Sequence, residues 1–351
     1  MKPLINRLAL VCVFCLCTVA TARAGTAAVA MPDRYGAAVA KGILQDGGNA
    51  VDAAIAAAFA LAVTYPEAGN IGGGGFMLSR MNGENAFIDF RERAPGSAQR
   101  DMYLDEGGNF VQSQSLIGGK AAAVPGTVRG LQAAHTRYGS MPWKRLLEPA
   151  IELARDGFIV HEDLAKAAED MLATEAGTTN FAEYFGQLKP GSTLRQPELA
   201  DTLKLIAADP DAFYSGSIAR KIVAQMSNSA GLISAQDLAT YQAVWRQPLL
   251  GQWRGYTVVS APPPSSGGFA LIQLLTMRDY ANEHFKDVWQ NSSAYIHLLA
   301  EIEKRVYADR AEYLGDPDYI DVPIAALLDT DYLKALSLIH ISEPTRQDTR
   351  S

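Results

Sequence analysis

The stretch NAVDAAIAAAFALAVTYPEAG contains a run, residues 50–63, that is apolar or small on nearly every side and carries one charge, Asp52. A helix without a polar face must be enclosed all round. At this length it is also too short to cross a bilayer, which takes about 20 apolar residues. The chain therefore has to build layers around this segment. Local signals agree on its limits. Asn49 is placed to cap the start, and Asp52 in the first turn complements the helix dipole. The pre-proline Tyr65 and Pro66 stop it. The preceding run RYGAAVAKGILQ reads as another helix, separated from the first by Gly47-Gly48.

The composition of the 351-residue chain suits such a core. Hydrophobic residues make up 48% and charged residues 20%, as in a globular protein able to bury a large interior. The net charge of −7 gives no basic footprint for nucleic acid. The N-terminus departs from this average. Lys2 and Arg7 precede the apolar run LALVCVFCLCTVA, and small residues follow at Ala22 and Ala24. This is the layout of a secretory signal cleaved after Ala24, shorter than a stable membrane anchor. All three cysteines, Cys12, Cys15 and Cys17, fall inside it. A mature chain from residue 25 then has no thiol for a disulfide, a nucleophile or a zinc site. Three of the 31 Lys and Arg residues lie in the leader, leaving 28 against 38 acids, a net charge of −10. The expected location is the periplasm or the exterior.

Further along, two strand-like runs flank Asn82-Gly83, both tolerant of positive φ, and predict a tight hairpin. VPGTVRGLQAAHTRYG and WKRLLEPAIELARDGF have helical spacing. Ser234 and Asp237 form a capping-box pattern ahead of another helix. GYTVVSAPP is a strand leading into a loop, and SSAYIHLLAEIEKRVYADRAEYL is a long helix with alternating charges expected on its outer face. No repeat or low-complexity linker divides residues 25–336, which read as a single α+β domain. The final run SLIHISEPTRQDTRS, residues 337–351, breaks the preceding pattern and reads as foreign sequence, so His340, Ser342 and Thr345 carry no role.

Several motifs invite chemistry. The glycine run in GNIGGGGF follows a helix and opens a hairpin, the wrong context for a dinucleotide or phosphate loop. It suits a place where another backbone or a ligand comes close. Arg91, in IDFRERAP, stands at a strand end between Asp89 and Glu92. A guanidinium there either grips a carboxylate through paired hydrogen bonds or makes an ordinary strand-end salt bridge. The five histidines, His135, His161, His284, His297 and His340, lack metal-ligand spacing, and His135 and His284 look like surface residues. The acidic stretch from Asp309 to Asp321 lacks the sixth-position glycine and terminal glutamate of an EF-hand, so no metal is expected. In SAPPPSSGG, Ser265 and Ser266 follow three prolines and precede Gly267-Gly268. Neither has a base nearby in sequence, and the loop does not match Gly-x-Ser-x-Gly, so it reads as scaffold.

Taken in order, GGNAVDAAIAAAFALAVTYPEAGNIGGGGFM, DFRERAPGSAQRDMYLD, AVPGTVRGL, ELARDGFIV, GYTVVSAPPPSSGG and YADRAEYLGDPDY resemble the γ-glutamyltransferase family, also called γ-glutamyltranspeptidase or glutathione hydrolase. The resemblance covers about residues 25–336. It implies an N-terminal-nucleophile hydrolase: an αββα sandwich made as one precursor that cuts itself into a large and a small subunit. The small subunit's new N-terminal threonine attacks the γ-glutamyl amide, with its own α-amine as base and a glycine pair holding the oxyanion. The acyl group then passes to water, an amino acid or a peptide. The resemblance implies no metal or organic cofactor. Arg91 matches the family arginine that binds the α-carboxylate of the γ-glutamyl group. Ser265, Ser266, Gly267 and Gly268 match a loop near the active site.

The family's Thr-Thr-His or Thr-Ser-His nucleophile motif occurs nowhere in the 351 residues. The chain therefore reads as most of a large subunit of the sandwich, with no catalytic residue of its own, catalytically silent without its small subunit and exposing a sheet edge. Rival readings are a cephalosporin or glutaryl acylase, a poly-γ-glutamate-processing relative, and a periplasmic protein that binds γ-glutamyl compounds without turnover.

Overall fold

The structure is a computed structural model that describes residues 27–338. The expected leader, residues 1–24, lies outside the described residues, as do residues 339–351 of the tail with His340, Ser342 and Thr345.

The enclosed helix forms as its sequence requires. It spans Ala50–Thr64, and most of its side chains are buried; Ala50 at its start and Ala54 are exposed, a small correction to enclosure on every side. Its cap is a full capping box. The Asn49 carboxamide oxygen accepts from the Val51 and Asp52 N–H groups at 2.8 and 3.0 Å, and Asp52 Oδ2 accepts from the Asn49 N–H at 2.9 Å. The same Asp52 carboxylate accepts from the Ser140 N–H at 3.0 Å and from the Ser140 hydroxyl. Asn49 Nδ2 donates to the Tyr138 carbonyl at 2.7 Å. One helix start thus also fixes the end of Thr127–Tyr138. The glycine pair before it divides two tasks. Gly47 takes φ +92°, and a Cβ at Gly48 would stand 2.7 Å from both the Ile43 side chain and the Met141 sulfur.

Arg34–Gln45, Thr127–Tyr138 and Trp143–Asp156 pack against that helix, and Pro197–Ala208 packs against Trp143–Asp156 in the same core. Phe59 meets Trp143 edge-on at 5.5 Å, and the Trp143 indole donates to the Ile206 carbonyl at 3.0 Å. Beside this core lies a three-stranded antiparallel sheet. Phe76–Met81 and Glu84–Asp89 form the hairpin, with Asn82 at φ +52° and Gly83 at +85°, as their sequence predicts. Val244–Arg246 pairs on the far side of Glu84–Asp89, placing Asp89 opposite Val244. Phe76–Met81 is an open edge, and Phe76 and Leu78 on it are exposed.

A second hairpin, Leu249–Trp253 with Tyr256–Ser260, precedes a second apolar core. There Gly267–Tyr280, Ser293–Tyr313 and Thr330–Leu338 pack through Phe269, Met277, Ile302, Val306 and Leu333. The long helix corrects one expectation. Its charges do not all face outward: Glu301 and Asp309 are buried. Glu301 pairs with Lys304 and Arg305, and Asp309 accepts from Gln273 and Tyr332. Burial of these acids is tolerated because each is paired or hydrogen-bonded.

Asp52 provides a stability test. Burial works to raise its pKa, but the hydrogen bonds from Ser140, Asn49 and Met141 outweigh it and hold the carboxyl below its ordinary value. A depressed folded pKa contributes stability that is full above the unfolded value, about 4, and fades as pH falls through the folded one. Asp52→Ala is expected to cost about 2–4 kcal/mol at pH 7. Chemical denaturation from pH 7 to pH 3 should show that difference shrinking as the medium is acidified.

Candidate substrate-binding cleft

The first sheet ends where the cleft begins. After Asp89 the chain turns through Phe90, whose buried ring leaves no room for side chains at Gly75 and Gly130: built Cβ atoms would lie 2.9 and 2.1 Å from it. The Phe90 and Gly75 backbones exchange hydrogen bonds of 3.0 and 3.2 Å. A Cβ at Gly74 would stand 2.5 Å from the Phe90 carbonyl. The Gly73 carbonyl accepts from the Gly126 and Thr127 N–H groups at 2.7 and 3.1 Å. The glycine run is therefore a place of close backbone approach, one of the two readings its sequence left open.

Arg91 follows at the mouth of this crossing. Its N–H donates to Asp89 Oδ1 at 3.1 Å, and its carbonyl accepts from the Tyr241 hydroxyl at 2.6 Å. Two residues on, Arg93 and Val124 exchange backbone bonds of 3.1 and 2.8 Å. The backbone is held from both sides while the Arg91 side chain is exposed, its guanidinium 5.8 Å from the Phe76 ring centre. Among the described residues it forms no ion pair, so the strand-end salt bridge is not what occupies it.

An open cleft of about 780 Å³ starts at this arginine and is lined by Arg91, Arg93, Tyr241, Arg246, Pro264 and Asp318, among others. Arg246 is its electrostatic centre. Nε donates to Asp89 at 2.9 Å, and the two terminal nitrogens grip the Asp318 carboxylate at 2.8 and 2.9 Å. Hydrogen bonding to Asp318 leads in holding Arg246 above its ordinary pKa, against its burial and with Asp89 helping. The same bond holds Asp318 below the usual carboxylate value. Arg93 adds a looser contact to Asp318 at 3.7 Å and lies 5.8 Å from the Tyr241 ring centre. The sequence reading missed Arg93, Tyr241, Arg246 and Asp318 as a group. Their only local signal was Asp318 within the acidic stretch.

The proline loop reaches the cleft through Pro264, whereas Ser265, Ser266, Gly267 and Gly268 are not among the residues that line it. Ser265 Oγ accepts from the Gly267 N–H at 3.2 Å, and Ser266 Oγ accepts from Arg310 Nε at 3.0 Å. Neither hydroxyl is paired with a histidine or carboxylate among the described residues. Gly268 must lack a side chain, since a Cβ would sit 2.2 Å from the Ala261 carbonyl. His135, expected at the surface, is half-buried against Trp143 with Nε2 2.7 Å from the Met141 carbonyl. His161 caps a helix by accepting from the Leu164 N–H. No group of three or more metal-ligating side chains assembles among the described residues. No described helix is long and apolar enough to cross a membrane. The cleft offers a free guanidinium on a fixed backbone, fit to receive a carboxylate by two parallel hydrogen bonds.

Residues 36–349 match the model of the Gamma-glutamyltranspeptidase family. The chain is 56% identical over 308 residues to the glutathione hydrolase proenzyme of Pseudomonas aeruginosa, covering 88% of this chain and 55% of that protein. It is 39% identical to the Acylase ACY 1 proenzyme of Pseudomonas sp. strain SE83, over 83% of this chain and 54% of that one. Among solved structures, the γ-glutamyltranspeptidase from Pseudomonas nitroreducens complexed with L-DON superposes with a TM-score of 0.88 at 53% identity. That match covers 89% of this chain and 94% of the other. The fold is the helix-and-sheet N-terminal-nucleophile hydrolase architecture, and the chain belongs to the γ-glutamyltranspeptidase family. It spans about half the length of those two proenzymes.

The shared guanidinium of Arg246 is testable apart from function. Arg246→Ala leaves the buried Asp89 carboxylate without its partner and is expected to cost about 3 kcal/mol in urea denaturation. Asp318→Ala, on the more exposed side, should cost about 1 kcal/mol or less.

Proposed function

We propose that this chain supplies the γ-glutamyl-binding half of a glutathione hydrolase and γ-glutamyltransferase, and that Arg91 holds the α-carboxylate of the γ-glutamyl group. The observation that carries this reading is the Arg91 guanidinium: exposed at the rim of the cleft, free of any ion pair among the described residues, on a backbone fixed by Asp89 and Tyr241. In the complete protein the γ-glutamyl amide of glutathione or a related compound is cleaved, and the acyl group passes to water, an amino acid or a peptide. The attacking group is a threonine of the small subunit, made from the same precursor. This chain binds and orients; the 351 residues by themselves are expected to give no turnover. The near-complete coverage of one chain of the Pseudomonas nitroreducens structure supports reading this segment as one subunit.

In the full-length gene product, Arg91→Ala is expected to remove about 2–5 kcal/mol of substrate stabilisation, measured as kcat/KM on a chromogenic γ-glutamyl anilide. An effect of a few tenths of a kcal/mol would take Arg91 out of the site. A glutaryl anilide, which keeps one carboxylate but lacks the α-amine, separates transferase from acylase. Preference for the glutaryl compound would favour the acylase reading, since a free guanidinium suits either acyl group.

The protein is proposed to work in the periplasm or outside the cell after cleavage following Ala24. Mass spectrometry of the exported protein is expected to find Gly25 as its first residue. A retained Met1 in the mature, exported form would contradict it.

A further inference from the structure

The carboxylate grip depends on where the Arg91 backbone is held, and that holding comes from a segment 150 residues away. Resting on the functional reading above, we infer that Tyr241 is a positioning residue for substrate binding: its hydroxyl fixes the Arg91 carbonyl and so aims the guanidinium at the α-carboxylate.

Tyr241 is buried, and its ring stacks on Tyr214 at 5.9 Å with an interplanar angle of 13°. Tyr214 is itself fixed at both lone-pair and proton, accepting from the Arg129 N–H at 2.9 Å and donating to the Pro125 carbonyl at 3.1 Å. The stack leaves the Tyr241 hydroxyl a single direction, into the angle between the Arg91 and Gly126 backbones. That angle is cleared of side chains. A Cβ at Gly126 would stand 2.1 Å from the Tyr241 hydroxyl and 2.1 Å from the Phe90 carbonyl. Burial pushes the Tyr241 phenol above its ordinary pKa, which favours the protonated, donating form.

The same segment holds the loop a second time. Asp237, already in a capping box with Ser234, accepts from the Gly96 N–H at 2.8 Å. The loop 91–96 is thus suspended from both ends of Ala235–Thr240, at Arg91 through Tyr241 and at Gly96 through Asp237. A packing role for Tyr241 needs only the ring. The 2.6 Å bond to the Arg91 carbonyl adds nothing to the apolar core, but it sets the direction in which a cleft residue leaves the sheet.

The test compares Tyr241→Phe, Arg91→Ala and the double variant in the full-length gene product, reading KM and kcat on a γ-glutamyl anilide. Phenylalanine keeps the stack and deletes the bond. Tyr241→Phe is expected to raise KM about five- to twentyfold, to leave kcat within about twofold, and to add less than about twofold to KM on the Arg91→Ala background. An unchanged KM in Tyr241→Phe, or a full additional rise in the double variant, would overturn the inference while leaving the Arg91 reading in place. An unchanged KM in Arg91→Ala, or a wild-type protein that does not turn over the anilide, would overturn the functional reading itself. Should Tyr241→Phe fail to fold, Asp237→Ala releases the other end of the loop and carries the same expectation at about threefold in KM; no change there overturns the inference.

Discussion

The guanidinium of Arg246, shared between Asp89 and Asp318, is the interaction on which the arrangement of this chain depends. Asp89 ends a strand of the first sheet, beside the core built around Ala50–Thr64. Asp318 belongs to the loop that follows Ser293–Tyr313, a helix of the second apolar core. Apolar packing within each core is non-directional and does not by itself set the position of one against the other. A three-point, charge-assisted contact does, because it is satisfied in only one geometry. A buried pair of this kind adds little to stability over a well-packed apolar pair, but losing one partner leaves a carboxylate stranded. The contact therefore acts chiefly on geometry, and it sits in the wall of the cleft that the geometry creates.

Much of the fold was legible because it rests on residues that act locally. Asn49 and Asp52, Asn82-Gly83, Ser234 and Asp237 each encode a cap or turn within four residues, and each forms as written. The hairpin between Leu249 and Ser260 was only half seen. Its turn uses Arg254 at φ +48° before Gly255 at +83°, and arginine is an uncommon choice for that conformation. What holds it is tertiary: the Arg254 guanidinium pairs with Asp279 at 2.8 Å and lies 5.0 Å from the Trp253 ring centre. Likewise, the charge pattern of Ser293–Tyr313 looked like a solvated face because pairing partners such as Gln273 and Tyr332 lie on other helices.

The site divides the same way. Arg91 is singled out by its motif, with the local residues leaving two readings open and the resemblance choosing between them. Nothing within ten residues of Tyr241 or Arg246 marks either as belonging to the same place. Their partners are 150 and 157 residues away for Arg91 and Asp89, and 72 for Asp318. The glycines carry more of this information than the charged residues do. Gly74 and Gly126 reveal where two backbones must nearly touch, and the cleft opens at that crossing.

How Arg91 is held bears on its proposed role in binding. A guanidinium positioned by a side-chain carboxylate would have to exchange that partner for the substrate's carboxylate, and part of the binding energy would go to breaking the first pair. Here the restraints act on the backbone N–H and carbonyl, and the side chain has no ion pair to break among the described residues. A carboxylate bound there, as proposed, would gain the full charge-assisted contact, against the entropy of ordering one exposed side chain. The acidic groups nearest the cleft serve the same end from the other direction. Asp89 and Asp318 are engaged by Arg246, whereas Glu92 and Asp316 also line the cleft, and none of the four forms an ion pair with Arg91 among the described residues.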